Sequence, residues 1–98
     1  MGISVYIQNQ VHEKLNMVDE ISSRGLVDLI EKMPKGALLE GIHYYADTMF
    51  NSYQLEFFLS ELSAITPENE QEASVIAALR SAAEVAIRRN GYLWFSGD

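Results

Sequence analysis

A chain of 98 residues with 48% hydrophobic and 21% charged residues describes one compact domain, 1–98, and leaves no room for a second. The absence of cysteine removes disulfide scaffolds, thiolate metal sites and cysteine nucleophiles, and fits a reducing compartment. A net charge of -7 disfavours nucleic acid phosphates and anionic lipid as partners. No apolar run approaches the roughly 20 residues of a membrane span, and Met1 to Val5 lacks the basic and apolar regions of a secretory leader, so a cytoplasmic protein is expected.

Ile3, Val5 and Ile7 alternate with Ser4, Tyr6 and Gln8, the period of a half-buried strand. Val11 to Glu20 fits a second strand or a loop, because Val11, Leu15 and Val18 are too sparse for a helix. Ser22 and Ser23 offer cap oxygens ahead of Leu26, Leu29, Ile30 and Met33, one face of a helix that Pro34 and Gly36 stop. Lys32 and Lys35 suit the negatively polarised end of that helix. Ala37 to Ala46 reads as extended, and Asp47 and Thr48 read as a turn. Asn51 or Ser52 caps a second helix whose stripe is Leu55, Phe58, Leu59, Leu62 and Ile65. Thr66-Pro67-Glu68 predicts the start of a third helix, running to about Arg89 and closed by a left-handed Asn90-Gly91 cap. Its buried face is drawn from Val75, Ile76, Leu79, Ala82, Ala83, Ala86 and Ile87.

Tyr92 to Phe95 forms a final strand whose aromatics call for cover on both faces. Pairing it with the first strand gives an α+β fold: a small sheet including the N- and C-terminal strands, covered by two long helices and one shorter helix.

The charge has a location. From Gly36 to Leu79 there is no Lys or Arg, while Glu40, Asp47, Glu56, Glu61, Glu68, Glu70 and Glu72 supply seven negative charges, equal to the whole imbalance. Such a stretch speeds encounter with a basic protein, and Tyr44, Tyr45 or Tyr53, if exposed, would anchor it. Glu40, His43 and Asp47 would converge on a metal only if helical, which the extended reading opposes, so no metal and no cofactor is expected. No phosphate-binding glycine loop, nucleophile elbow or distinguishable catalytic set is present, and an enzyme is not the expectation. Two other readings stand beside protein binding. One is a small-molecule-binding domain or enzyme centred on Tyr45, Asp47, Asn51 and Gln54. The other is a structural or regulatory homodimer using the alanine-rich helix or the terminal strand edge.

The run Tyr45-Ala46-Asp47-Thr48-Met49-Phe50-Asn51 with Gln54, together with Tyr92-Leu93-Trp94-Phe95-Ser96-Gly97-Asp98, resembles small bacterial proteins of unassigned function. That resemblance implies the strand, helix, helix, strand order and no activity. In general character the chain is also similar to immunity proteins of bacterial toxin systems, small acidic domains that plug a basic active site. This likeness implies a cognate toxin, most concretely a nuclease, as partner. The surface expected to meet it is Glu40, Tyr44, Tyr45, Asp47, Glu56, Glu61, Glu68, Glu70 and Glu72.

Overall fold

The computed structural model describes residues 2–18 and 21–97. Glu20, the end of the ambiguous second segment, and Asp98, the last residue of the C-terminal motif, lie outside them. The elements run β1 (Ile3–Gln8), β2 (Lys14–Met17), α1 (Ser23–Glu31), β3 (Asp47–Asn51), α2 (Ser52–Ser63), α3 (Glu70–Arg88) and β4 (Tyr92–Gly97). The strands form one antiparallel sheet in the order β2-β1-β4-β3. The first and last strands pair from Ile3 against Gly97 to Gln8 against Tyr92, so they occupy the centre of the sheet and leave β2 and β3 as edges. The fold is α+β, as the alternation in Ile3 to Ile7 and the helical stripes require.

Strand alternation puts Ile3, Val5, Ile7, Phe50, Leu93 and Phe95 on one face, where all are buried. Against that face pack Leu26, Leu29 and Ile30 of α1, Leu55, Phe58 and Leu62 of α2, and Val75, Leu79, Ala83 and Ala86 of α3. Phe50, Phe58 and Phe95 meet at the centre, with ring centroids 5.5, 5.7 and 6.1 Å apart and tilted or edge-on geometry. The small side chains of α3 let the sheet and its neighbours approach closely. At the α1–α3 crossing the approach is so tight that a Cβ on Gly25 would lie 2.9 Å from Val75 Cγ2.

Three expectations need correction. Ala37 to Ala46 is a succession of turns, not an extended segment. Gly36 takes a φ of 99°, the Gly41 amide returns to the carbonyls of Ala37 and Leu38, and the Glu61 carboxylate accepts from the amides of Leu38 and Leu39. This winding buries both Leu39 and Ile42, three positions apart, which a strand would place on opposite faces. The strand comes later, at Asp47–Asn51, and takes in Asp47 and Thr48, where a turn was expected, because these residues find the free edge of β4.

The third helix starts at Glu70, not at Thr66-Pro67-Glu68. Its cap is Asn69, whose side chain accepts from the Glu72 amide, while the Glu72 carboxylate accepts from the Glu68 amide. At its other end Asn90 takes a left-handed φ of 55° and the Gly91 amide donates to the Ala86 carbonyl at 2.9 Å. A Cβ on Gly91 would collide with the Gln8 carbonyl, so only glycine lets the chain enter β4 this close beside the end of β1.

The third correction concerns cover. The helices lie on one face of the sheet only. On the other, Tyr92 and Trp94 are half-buried by side chains of the sheet itself and of the β1–β2 turn, with Tyr6 beside Trp94 and His12 stacked on Tyr92.

Candidate interaction surfaces

The end of the molecule formed by the carboxyl end of α1, the 32–46 turns and the α2–α3 connection gathers most of the expected carboxylates. Residues 31–40 and 61–72 together carry Glu31, Glu40, Glu61, Glu68, Glu70 and Glu72 against Lys32 and Lys35. Arg80 reaches the same end, donating to Ser63 at 3.4 Å. The surface is therefore acidic, but its carboxylates have different roles.

Glu72 is buried and its two oxygens accept from Lys32 Nζ at 2.9 and 3.0 Å, tying α1 to α3. Glu68 takes the same ammonium at 3.0 Å with its side chain 71% exposed. Lys32 thus leaves the helix end that the sequence assigned to it and crosses to α3. Both oxygens of Glu61 are spent on the Leu38 and Leu39 amides, which would be orphaned without it. Glu40 accepts from the Gly36 amide. Glu31, Glu68 and Glu70 present carboxylates to solvent.

The Glu72 carboxyl is held below its ordinary value of 4.5, first by the Lys32 hydrogen bond and then by the Glu68 amide, with burial opposing both. Lys32 is raised above 10.5, chiefly by its hydrogen bonds to Glu72 and Glu68. A depressed carboxyl contributes stability above its unfolded value that is lost as pH falls through the folded one. A raised ammonium contributes below its unfolded value and loses it as pH rises. The pair therefore supports the fold between about pH 4.5 and 10.5. Glu72→Gln is expected to lower the thermal midpoint at pH 7, with the gap to the parent narrowing as pH falls below 4.5. A gap that stays constant into acid would remove the pair from the account.

Beside this end, Ile30, Glu31, Glu40, His43, Tyr44 and Tyr45 line an open cleft of about 650 Å³. Burial, and then the charge and hydrogen bond of Glu31, push the Tyr44 phenol above its ordinary value of 10.0. Tyr45 stands edge-on to Tyr44 at 6.4 Å and is 65% exposed. Tyr53 is 72% exposed and packs edge-on against Phe57 on α2. Tyr45 and Tyr53 do not share a patch: Asp47 pairs with Ser96 and Asn51 with Tyr92, so about 14 Å of β3 separates them. Asp47 sits at the start of that edge strand, directly after the 32–46 turns, and Glu56 is exposed on α2.

Asn51 and Gln54 form a reciprocal capping box at 2.8 and 3.0 Å, so their polar atoms serve the first turn of α2. Tyr45, Asp47, Asn51 and Gln54 therefore do not assemble into a small-molecule site. Glu40, His43 and Asp47 do not converge either, since His43 Nδ1 accepts from the Tyr45 amide and Glu40 faces Gly36. Among the described residues no three His, Asp or Glu side chains form a metal-binding group. The contacts expected of a homodimer also change. β4 has no free edge, and Ala82, Ala83 and Ala86 of α3 are buried in the core.

Sequence reasoning missed Glu31 and Lys32. Their signal was the position of both at the end of the first helix stripe, where a turn must follow. It also missed the aromatic sheet face, since Tyr6 and Trp94 lie 88 positions apart and become neighbours only in the β1–β4 register. No helix among the described residues is long and apolar enough to cross a membrane. No protein-family model, curated protein or solved structure matches the chain.

Proposed function

We propose that this chain is an acidic protein-binding domain of the immunity type, which neutralises a basic toxin of nuclease type by occluding its active site. What supports this reading is the acidic end: Glu31, Glu68 and Glu70 stand exposed on segments pinned by Glu61 and Glu72, next to the exposed Tyr45. A phosphate-binding groove is lined by cations that attract such a surface, and fixed carboxylates lose little freedom on docking. The ring of Tyr45 adds an apolar anchor of the kind that carries binding energy. Tyr53, paired edge-on with Phe57, lies about 14 Å of β3 away from Tyr45 and belongs to a separate patch.

The reading predicts that a basic nuclease is encoded beside this chain's gene, and that nuclease is the partner in the test. Added to that nuclease at low salt, the purified chain is expected to abolish cleavage at one equivalent, with inhibition weakening steeply as salt rises. Full cleavage at several equivalents, in low salt, would overturn the reading.

A further inference from the structure

Of all the residues in the four strands, only Lys14 and Asp47 carry a charge, and both lie on the face of the sheet that no helix covers. The same face presents Tyr6, Trp94, Tyr92, Met17 and Met49. The rings of Tyr6 and Trp94 are 4.9 Å apart, with the Lys14 ammonium 4.5 and 4.7 Å above them. Met17 is 56% and Met49 44% exposed at its two edges. The Trp94 indole N–H is shut off from solvent with no acceptor, so the ring is held by stacking rather than by its polar atom. An aromatic and methionine-rich face that is neutral overall, on a chain of net charge -7, is a surface built to be covered.

We propose that its occupant is a second copy of this chain, packed sheet against sheet. Two copies with the same acidic end repel each other, and this face is where they can meet without bringing those ends together. It is also self-complementary. Lys14 lies on edge β2, level with the Gln8–Tyr92 pair, and Asp47 lies on edge β3, level with Ser96 at the other end. The two backbone positions therefore stand at opposite corners, the Lys14 side chain reaching inward over the rings and the Asp47 side chain staying on its edge. A two-fold axis in the interface, along the other diagonal, sets each Lys14 against Asp47 of the second copy and crosses the two sheets at close to a right angle. A basic partner finds one carboxylate and one ammonium on this face, and so gains nothing from its net charge. Four strands at about 4.8 Å spacing and five residues at about 3.4 Å rise make a face of roughly 19 by 17 Å. That is roughly 320 Å² per copy, below the roughly 800 Å² per partner of a standard interface, so the expected association is weak, in the high micromolar range or weaker.

Sedimentation velocity on the full chain, from about 1 µM to 1 mM, reads the result directly. The mass is expected to rise from 11.0 kDa toward twice that value with concentration. Met49→Lys weakens the association about tenfold or more even though it moves the net charge toward zero, and Met17→Lys on the opposite edge does the same. Ser81→Lys, on the exposed side of α3, leaves it unchanged. Lys14→Glu and Asp47→Lys each weaken it, and the two together restore it. A single mass of 11.0 kDa at every concentration overturns the proposal. So does a dimer indifferent to Met49→Lys and Met17→Lys, or a double reversal weaker than either single one. None of these outcomes touches nuclease neutralisation, which uses the acidic end.

Discussion

Phe58→Ala is expected to cost about 3–5 kcal/mol and to lower the thermal midpoint by roughly 15–30 °C. Phe58 is fully buried and its ring contacts both Phe50 of β3 and Phe95 of β4, so it joins α2 to an edge strand and a central strand at once. Alanine there leaves a cavity bounded by two aromatic rings that backbone pairing holds in place, which limits how far the site can collapse. A domain of this length has a total stability of about 5–15 kcal/mol, so the variant loses a large share of it. Denaturant unfolding followed by circular dichroism checks the value. A loss below about 1 kcal/mol would mean that the three rings do not form the centre of the core.

The second large effect falls on binding and spares the fold. Tyr45→Ala is expected to weaken the complex with the basic nuclease by roughly thirtyfold, equivalent to about 2 kcal/mol, with the thermal midpoint of the free chain unchanged. Tyr45 is 65% exposed, touches Tyr44 edge-on, and stands at the cleft shared with Glu31 and Glu40. Its truncation therefore removes contact area from a partner rather than from the core. Tyr53→Ala is the control, because it truncates an equally exposed tyrosine at the far end of β3. Calorimetric titration of both variants separates them. If both weaken the complex equally, or neither does, the contact lies elsewhere than the acidic end.

Sequence periodicity was sufficient wherever burial is one-sided. Ile3, Val5 and Ile7 alternate because one face of β1 meets helices, and the stripes in α1, α2 and α3 follow from the same condition. Periodicity failed at residues 37–51, where tertiary contacts decide the local structure. The amides of Leu38 and Leu39 wind into turns because a carboxylate from α2, 22 and 23 residues away in sequence, accepts from them. Asp47–Asn51 extends because β4, far along the chain, offers a free edge. The start of α3 failed for a different reason: two acceptable caps lay three residues apart, and the later one is favoured because Asn69 accepts from the Glu72 amide while the Glu72 carboxylate accepts from the Glu68 amide.

Charge was legible as a position in the chain but not as a surface. The sequence counted Glu40, Glu56, Glu61, Glu68, Glu70 and Glu72 alike. In the structure Glu61 and Glu72 hold loops and helices together, Glu40 braces a turn, and Glu56 is exposed on α2. A carboxylate that accepts two backbone amides, or a lysine's ammonium, is indistinguishable in sequence from one that faces solvent. The cost of orphaning those donors makes the difference physical. Reversing Glu72 therefore tests the fold, and only the exposed carboxylates test recognition.

That distinction sets the most direct measurement: the association rate of the nuclease with the parent chain and with Glu68→Lys/Glu70→Lys, by stopped flow across a range of salt. The parent rate is expected to fall steeply with salt. The double variant is expected to associate about tenfold or more slowly at low salt, with a flattened dependence, its fold checked by circular dichroism because Glu68 shares the Lys32 ammonium with Glu72. Equal rates and equal salt slopes for the two proteins would contradict the claim that the acidic end steers a basic partner.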